Sequence, residues 1–151
     1  LFLENVKDTG YEVIIAVVIA NISAQILKTI VAALQNKRLD YSMLITTGGM
    51  PSSHTSSVIA LSASIGMIRG FGSIAFSIAV AIAAVVMYDA QGIRRSASKQ
   101  ASVLNKLIRQ MPDDVDLSQI KLKELLGHSP QEVLAGAVLG IIISIIVHIC
   151  L

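Results

Sequence analysis

Residues 13–34 read VIIAVVIANISAQILKTIVAAL, and the reading of this stretch decides what kind of protein the chain is. Roughly 20 mostly apolar residues in a helix cross the hydrocarbon of a bilayer. This run is long enough, and only Asn21, Gln25 and Lys28 interrupt it strongly. Those three fall at i, i+4 and i+7, which puts them on one helical face. In lipid such a stripe must turn into a bundle or a wet cavity. For Lys28 there is a second reading, in which its long stem snorkels to the interface marked by Asn36, Lys37 and Arg38. Asn21 and Gln25 share its face and cannot do so.

Composition agrees with a membrane chain. The 151 residues are 54% hydrophobic and 15% charged, with a mean hydropathy of +0.71. An ordinary soluble domain carries about 25% charged residues. The length fits one domain. A net charge of +2 is too small to suggest a nucleic-acid partner, and the single Cys150 excludes an internal disulfide. Residues 1–12 include Glu4, Lys7, Asp8 and Glu12 and lack the apolar core of a signal peptide.

Outward from the first span, three more are expected at 51–68, 71–90 and 131–151. The second is rich in small residues, which permit close helix approach in membranes. Arg69 and Gly70 turn the chain into the third. A polar segment, 91–127, follows, with helical spacing over 94–109. Asp116 and Gln119 then form a capping-box pair for a short helix ending at Gly127. Asp113, Asp114 and Asp116 read as loop acids and a cap. The last span opens with Ser129 as N-cap, Pro130 at N1 and Glu132 at N3, and carries Gly136 and Gly140 at a spacing suited to close packing. The expected fold is therefore all-α: one membrane domain, a polytopic helical bundle of about four transmembrane helices plus a cytoplasmic helical segment.

Charge placement orients it. Nine of the twelve basic residues lie in the connections 35–50 and 91–127, against Lys7 and Arg69 on the other side and Lys28 within a span. By the positive-inside bias those connections face the cytoplasm. Tyr11, Tyr41 and Tyr88 fall near span ends, as interfacial tyrosines do.

The stretch with chemistry is 46–57, TTGGMPSSHTSS. Gly48 and Gly49 free the backbone, Pro51 has a φ suited to the first helical position, and Ser52, Ser53 and His54 supply hydroxyls and a titratable ring. The first N–H groups of a helix lack intrahelical partners and favour an anion. His128 precedes the start of the last span in the same way. With Lys28, Lys37, Arg38, Arg94, Arg95 and Lys99 expected at the same membrane face, these groups suit a dianion, and phosphate above all, because Arg forks and helix-end N–H groups match its oxygens. The plainer reading makes the basic residues topology signals that hold anionic headgroups loosely. His148 reads as interfacial or packed, without a functional role.

Pro51-Ser52-Ser53-His54 resembles the Pro-Ser-Gly-His motif of the type 2 phosphatidic acid phosphatase superfamily, which also holds the vanadium haloperoxidases. The stretch from His128 to Gly136, HSPQEVLAG, resembles its last motif, His-x-x-x-Asp followed by Val-x-x-Gly. The longer strings TTGGMPSSH, YDAQGIRRSASKQASVLN and LGHSPQEVLAGAVLG are similar to its divergent branch of small membrane proteins. The resemblance covers most of the chain from Lys28 onward. It implies a cofactor-free, metal-independent phosphatase acting on a lipid or prenyl phosphate through a phosphohistidine. His128 would be the nucleophile, Glu132 would orient its ring, and His54 would protonate the leaving alkoxide. Lys28, Arg38, Ser52, Ser53, Arg94, Arg95 and Lys99 would hold the phosphate oxygens. A bacterial cytoplasmic membrane location, with the site facing the cytoplasm, is the implied setting.

Several positions depart from the superfamily pattern. Nine residues separate Lys28 from Arg38 instead of six, Leu39 replaces a Pro, and Ser53 replaces a Gly. Leu122 stands where the last motif has Arg, so Arg94 or Arg95 would have to serve, with Asp89 positioning the former. Glu132 is equally the acid of a capping box. Four spans offer fewer walls than the usual six, which is compatible with a homodimer. The competing reading keeps the phosphate site without turnover: a lipid-phosphate binding or carrier membrane protein.

Overall fold

The computed structural model describes residues 5–36, 49–110 and 129–151, with the backbone alone at 35–36, 91–99 and 109. Among these residues the chain forms four α-helices and no strand: α1 (Gly10–Asn36), α2 (Ser53–Arg69), α3 (Ile74–Gln110) and α4 (Pro130–Cys150). Two of them, α1 over Gly10–Leu34 and α4 over Pro130–Cys150, are long and apolar enough to cross a membrane, and α3 begins with a shorter apolar stretch, Ile74–Ala90.

The packing inverts the usual order of a soluble protein. On α1 the side chains facing inward are Glu12, Ala16, Ala20, Ala24 and Lys28, a strict i+4 row in which every residue is buried. Large residues of the same helix, including Ile14, Val18, Ile22, Ile26 and Ile30, face outward. α4 repeats the device, with Glu132, Gly136, Gly140, Ser144 and His148 at the same spacing. Its Ile141, Ile142, Ile145, Ile146 and Ile149 are exposed. In lipid, burying Ile gains little, because acyl chains are as apolar as the core. Close approach of backbones and hydrogen bonds across helices stabilise the bundle instead, and both require small inward residues.

α2 is the hub, packing on α1, α3 and α4. Its buried side chains are Ser53, Thr55, Ser56, Ala60, Ser62, Ser64 and Gly66. The fit to α4 is backbone-close: a Cβ on Gly136 would lie 2.5 Å from the Ser52 carbonyl oxygen, and one on Gly140 at 2.5 Å from that of Ser56. Neither position tolerates even a methyl group without moving a helix. The fit to α1 is polar: Ser56 Oγ donates to the Ala20 carbonyl at 3.2 Å, and Asn21 Nδ2 to Ser57 Oγ at 3.0 Å.

Two departures from the expected elements stand out. α2 starts two residues later, at Ser53, because Ser52 is its N-cap; Pro51 therefore precedes the cap, joined to Met50 by a cis peptide. The third expected span, from Ile74 onward, and the helical spacing over 94–109 belong to one 37-residue helix, about 55 Å long at 1.5 Å per residue. The polar residues after Ala90 do not break α3, since Arg, Lys, Ser, Ala and Gln all propagate a helix well enough. The expected short helix after Asp116 lies outside the described residues. The expectation of a polar stripe turned inward holds: Lys28 is 2% exposed.

Candidate site at the paired helix starts

Helix direction brings the two motif-bearing helix starts to one end of the bundle. α1 and α4 pack together and run antiparallel, so the Lys28 end of α1 meets the Glu132 end of α4, and the Glu12 end of α1 meets the His148 end. These two rims are about 24 Å apart, sixteen residues at 1.5 Å each. The four-residue connection at 70–73 turns α3 back along α2, which carries the backbone of 94–99 to the Lys28 rim and past it.

At that rim the N-termini of α2 and α4 are joined directly. The Ser52 N–H donates to the Glu132 carbonyl at 3.0 Å. Ser52 is fully buried, and its hydroxyl caps α2 by accepting from Thr55 N–H at 3.3 Å and from Thr55 Oγ1 at 3.1 Å. On α4 the capping box is complete: Ser129 Oγ accepts from Glu132 N–H at 3.3 Å, and Glu132 Oε2 accepts from Ser129 N–H at 3.3 Å. The Glu132 side chain therefore has the capping role, held at the junction by its own helix. Two helix N-termini side by side each contribute about half a positive charge, which favours an anion at this end.

Beneath the junction lies the polar face of α1. Gln25 Nε2 donates to Ser53 Oγ at 3.4 Å. The Lys28 stem passes under Gly49, where a Cβ would come within 2.9 Å of its Cδ and where φ is +96°; both the space and the left-handed backbone call for glycine. The Glu132 carboxylate is the charge whose field acts on the Lys28 ammonium. Lys28 therefore packs under the loop before α2 instead of snorkelling past it.

Of the residues singled out in the sequence, Lys28, Ser52, Ser53 and Glu132 come together here. His54 lies in the first turn of α2 but on its exposed side, one residue round from the buried Ser53. Arg94, Arg95 and Lys99 lie on α3 beyond Ala90, described by backbone alone. His128, Arg38, Asp113, Asp114 and Asp116 lie outside the described residues.

Beside the junction an open apolar groove of about 640 Å³ runs between α1 and α4, lined by Leu27, Val31, Met50, Pro51, Leu134 and Val138 among others. It joins the helix starts to the lipid-facing surface. No sequence motif marked it.

Sequence reading passed over one polar cluster. At the far rim Glu12, 1% exposed, lies 2.7 Å from His148 Nδ1 through Oε1 and accepts the Asp8 N–H through Oε2 at 2.7 Å. The signal was available: Glu12 and His148 end the same i+4 rows that begin or end with Lys28 and Glu132.

An all-α membrane bundle with small inward rows, an Ile- and Val-rich surface and two capped helix starts clamped at one rim is the class defined by these features. The chain belongs to the divergent PAP2 family, whose model matches residues 10–143. It is 38% identical over 138 residues to the uncharacterized membrane protein YuiD of Bacillus subtilis (strain 168), covering 84% of this chain and 87% of that relative. No solved structure matches.

Proposed function

We infer that this protein is a lipid-phosphate or prenyl-phosphate phosphatase working at the Lys28 rim. The observation that carries the reading is the direct bond between the two motif-bearing helix starts, Ser52 N–H to the Glu132 carbonyl, over a buried lysine. Membership of a divergent branch of a phosphatase superfamily supports it, and so does the apolar groove, which suits an acyl or isoprenoid chain.

In the proposed mechanism the phosphate occupies the positive end of α2 and α4. His128, the residue before the N-cap Ser129, attacks phosphorus through a ring nitrogen, and the P–O bond to the lipid alkoxide breaks in line. His54 gives its proton to that alkoxide. Water then attacks the phosphohistidine, His54 takes up its proton, and phosphate leaves with His128 restored. Glu132 stabilises the positive charge that His128 gains. Lys28, Arg38, Arg94, Arg95 and Lys99 offset charge on the equatorial oxygens, the largest contribution available to a phosphoryl transfer without a metal. The exposure of His54 allows proton exchange with solvent. Four spans, with the helix starts facing the cytoplasm of a bacterial membrane, complete the proposal, with a homodimer supplying further walls.

Phosphate release from a panel of lipid and prenyl phosphates by the purified protein tests this. His128→Ala and His54→Ala are each expected to lower the rate by about 10²–10⁴-fold with the fold intact. Binding of the same lipids without release by the wild-type protein, weakened by removing Arg94 and Arg95 and indifferent to His128→Ala, would instead establish the carrier reading.

A further inference from the structure

The far rim gathers groups of the opposite kind. Asp8, Glu12 and His148 offer three ligand atoms that all lie within 4.8 Å of one another. They come from opposite ends of the chain, since Glu12 and His148 are 136 residues apart. The turn before α1 holds Asp8 in place: Thr9 N–H donates to the Val6 carbonyl at 3.3 Å, and Asp8 takes a φ of +59°, which Asp tolerates better than most residues. Its N–H then reaches Glu12.

We propose that Asp8, Glu12 and His148 form a binding site for one divalent transition-metal ion of the zinc type. The donor set decides the class. One imidazole nitrogen with two carboxylate oxygens suits zinc or a similar first-row ion, whereas magnesium and calcium prefer oxygen alone. Three protein ligands leave a fourth, open position for water.

Geometry is close to what is needed. Tetrahedral zinc at about 2.0–2.1 Å from its ligands separates them by roughly 3.3 Å. The Glu12 and His148 atoms, now 2.7 Å apart, must part by a few tenths of an ångström as the ion takes the place of the shared proton, which passes to solvent. The Asp8 carboxylate is exposed and closes from the water side. Charge favours the ion as well. Two carboxylates face one imidazole at the C-terminal end of α4, where the helix dipole adds negative potential. Arg69, which lines a neighbouring pocket of about 270 Å³ with Thr9 and Gly10, makes no ion pair with either carboxylate among the described residues. The site is independent of the phosphatase reading and lies at the opposite rim.

Titration of the chelator-treated, detergent-purified protein with Zn²⁺ by calorimetry, with Co²⁺ absorption as a second readout, tests it. One ion per chain is expected at micromolar affinity, with a thermal midpoint that rises with metal concentration. Asp8→Asn changes an exposed side chain and keeps the fold; it should weaken binding at least about tenfold. His148→Gln should abolish binding and the tetrahedral Co²⁺ bands, and Cys150→Ser should change neither. Failure of the folded wild-type protein to bind, or binding that follows Cys150, His54 or His128 and ignores Asp8 and His148, would overturn the site.

Discussion

The two rims of the bundle are built from the same device with the signs exchanged. At one, α1 supplies the base, Lys28, and α4 the acid, Glu132. At the other, α1 supplies the acid, Glu12, and α4 the base, His148. Each pair ends a row of Ala, Gly or Ser at i+4 spacing, so the same small residues that let the helices approach also bring the charges together. What differs is the surroundings. The Lys28 rim adds two helix N-termini and a groove, and so gathers donors. The Glu12 rim adds a second carboxylate and the C-terminus of α4, and so gathers acceptors. The proposed anion belongs to the first and the proposed cation to the second.

Each pair sets a buried member, Lys28 or Glu12, against a partly exposed one, and the largest stability effect should come from the Glu12 rim, where the partners lie 2.7 Å apart. Glu12 is 1% exposed and the His148 side chain 29%. His148→Ala leaves a buried carboxylate without its ring partner and should cost about 3 kcal/mol, read from denaturant unfolding in detergent; phosphate release should be unchanged. A stability loss no greater than that of an exposed Ile→Ala change on α4 would mean that Glu12 does not depend on its ring partner.

Next comes the contact that both rims depend on. Gly140→Ala drives a methyl group against the Ser56 carbonyl and should cost about 1–3 kcal/mol. The loss should appear as a lower melting temperature, with the metal-binding and phosphate-related properties impaired together. If only one end responds, the rows do not act as a unit.

At the Lys28 rim Glu132 is only half-buried, so water screens the pair. Lys28→Met and Glu132→Gln should each cost about 1 kcal/mol, and a double-mutant cycle should return a favourable coupling of roughly 0.5–1 kcal/mol. Zero coupling would mean that the lysine stem packs under Gly49 without any help from the charge. The smallest effect reverses sign. Ser64 Oγ is buried with no hydrogen-bond partner among the described residues, so Ser64→Ala should be neutral or stabilising by up to about 1 kcal/mol, visible as an unchanged or higher melting temperature.

Much of this was legible in advance. The i, i+4, i+7 stripe on α1 pointed inward, and the Ser-Pro-x-Glu start of α4 folded as its spacing implies. Resemblance to the divergent branch rested on short strings, and family membership follows for residues 10–143. Two things were not legible. Glu12 and His148 each look like a stray polar residue at the end of an apolar helix, because a pair formed by residues 136 positions apart leaves no local trace. The continuity of α3 was hidden for a different reason: the change from apolar to polar residues near Ala90 reads as the end of an element, and helix propensity is nearly blind to that change.

The amino-acid order alone is enough to read a helical membrane protein, the places of its capped helix starts, and the residue types that suit a phosphate. These depend on local hydropathy, 3.6-residue periodicity and capping chemistry, all encoded within a few turns. It took the packed bundle to reveal that Ser52 bonds to Glu132, that Lys28 lies beneath them, and that a second polar cluster closes the far rim. Such contacts depend on how nearly backbones can approach, and that distance is fixed by Gly136 and Gly140 meeting carbonyls on another helix.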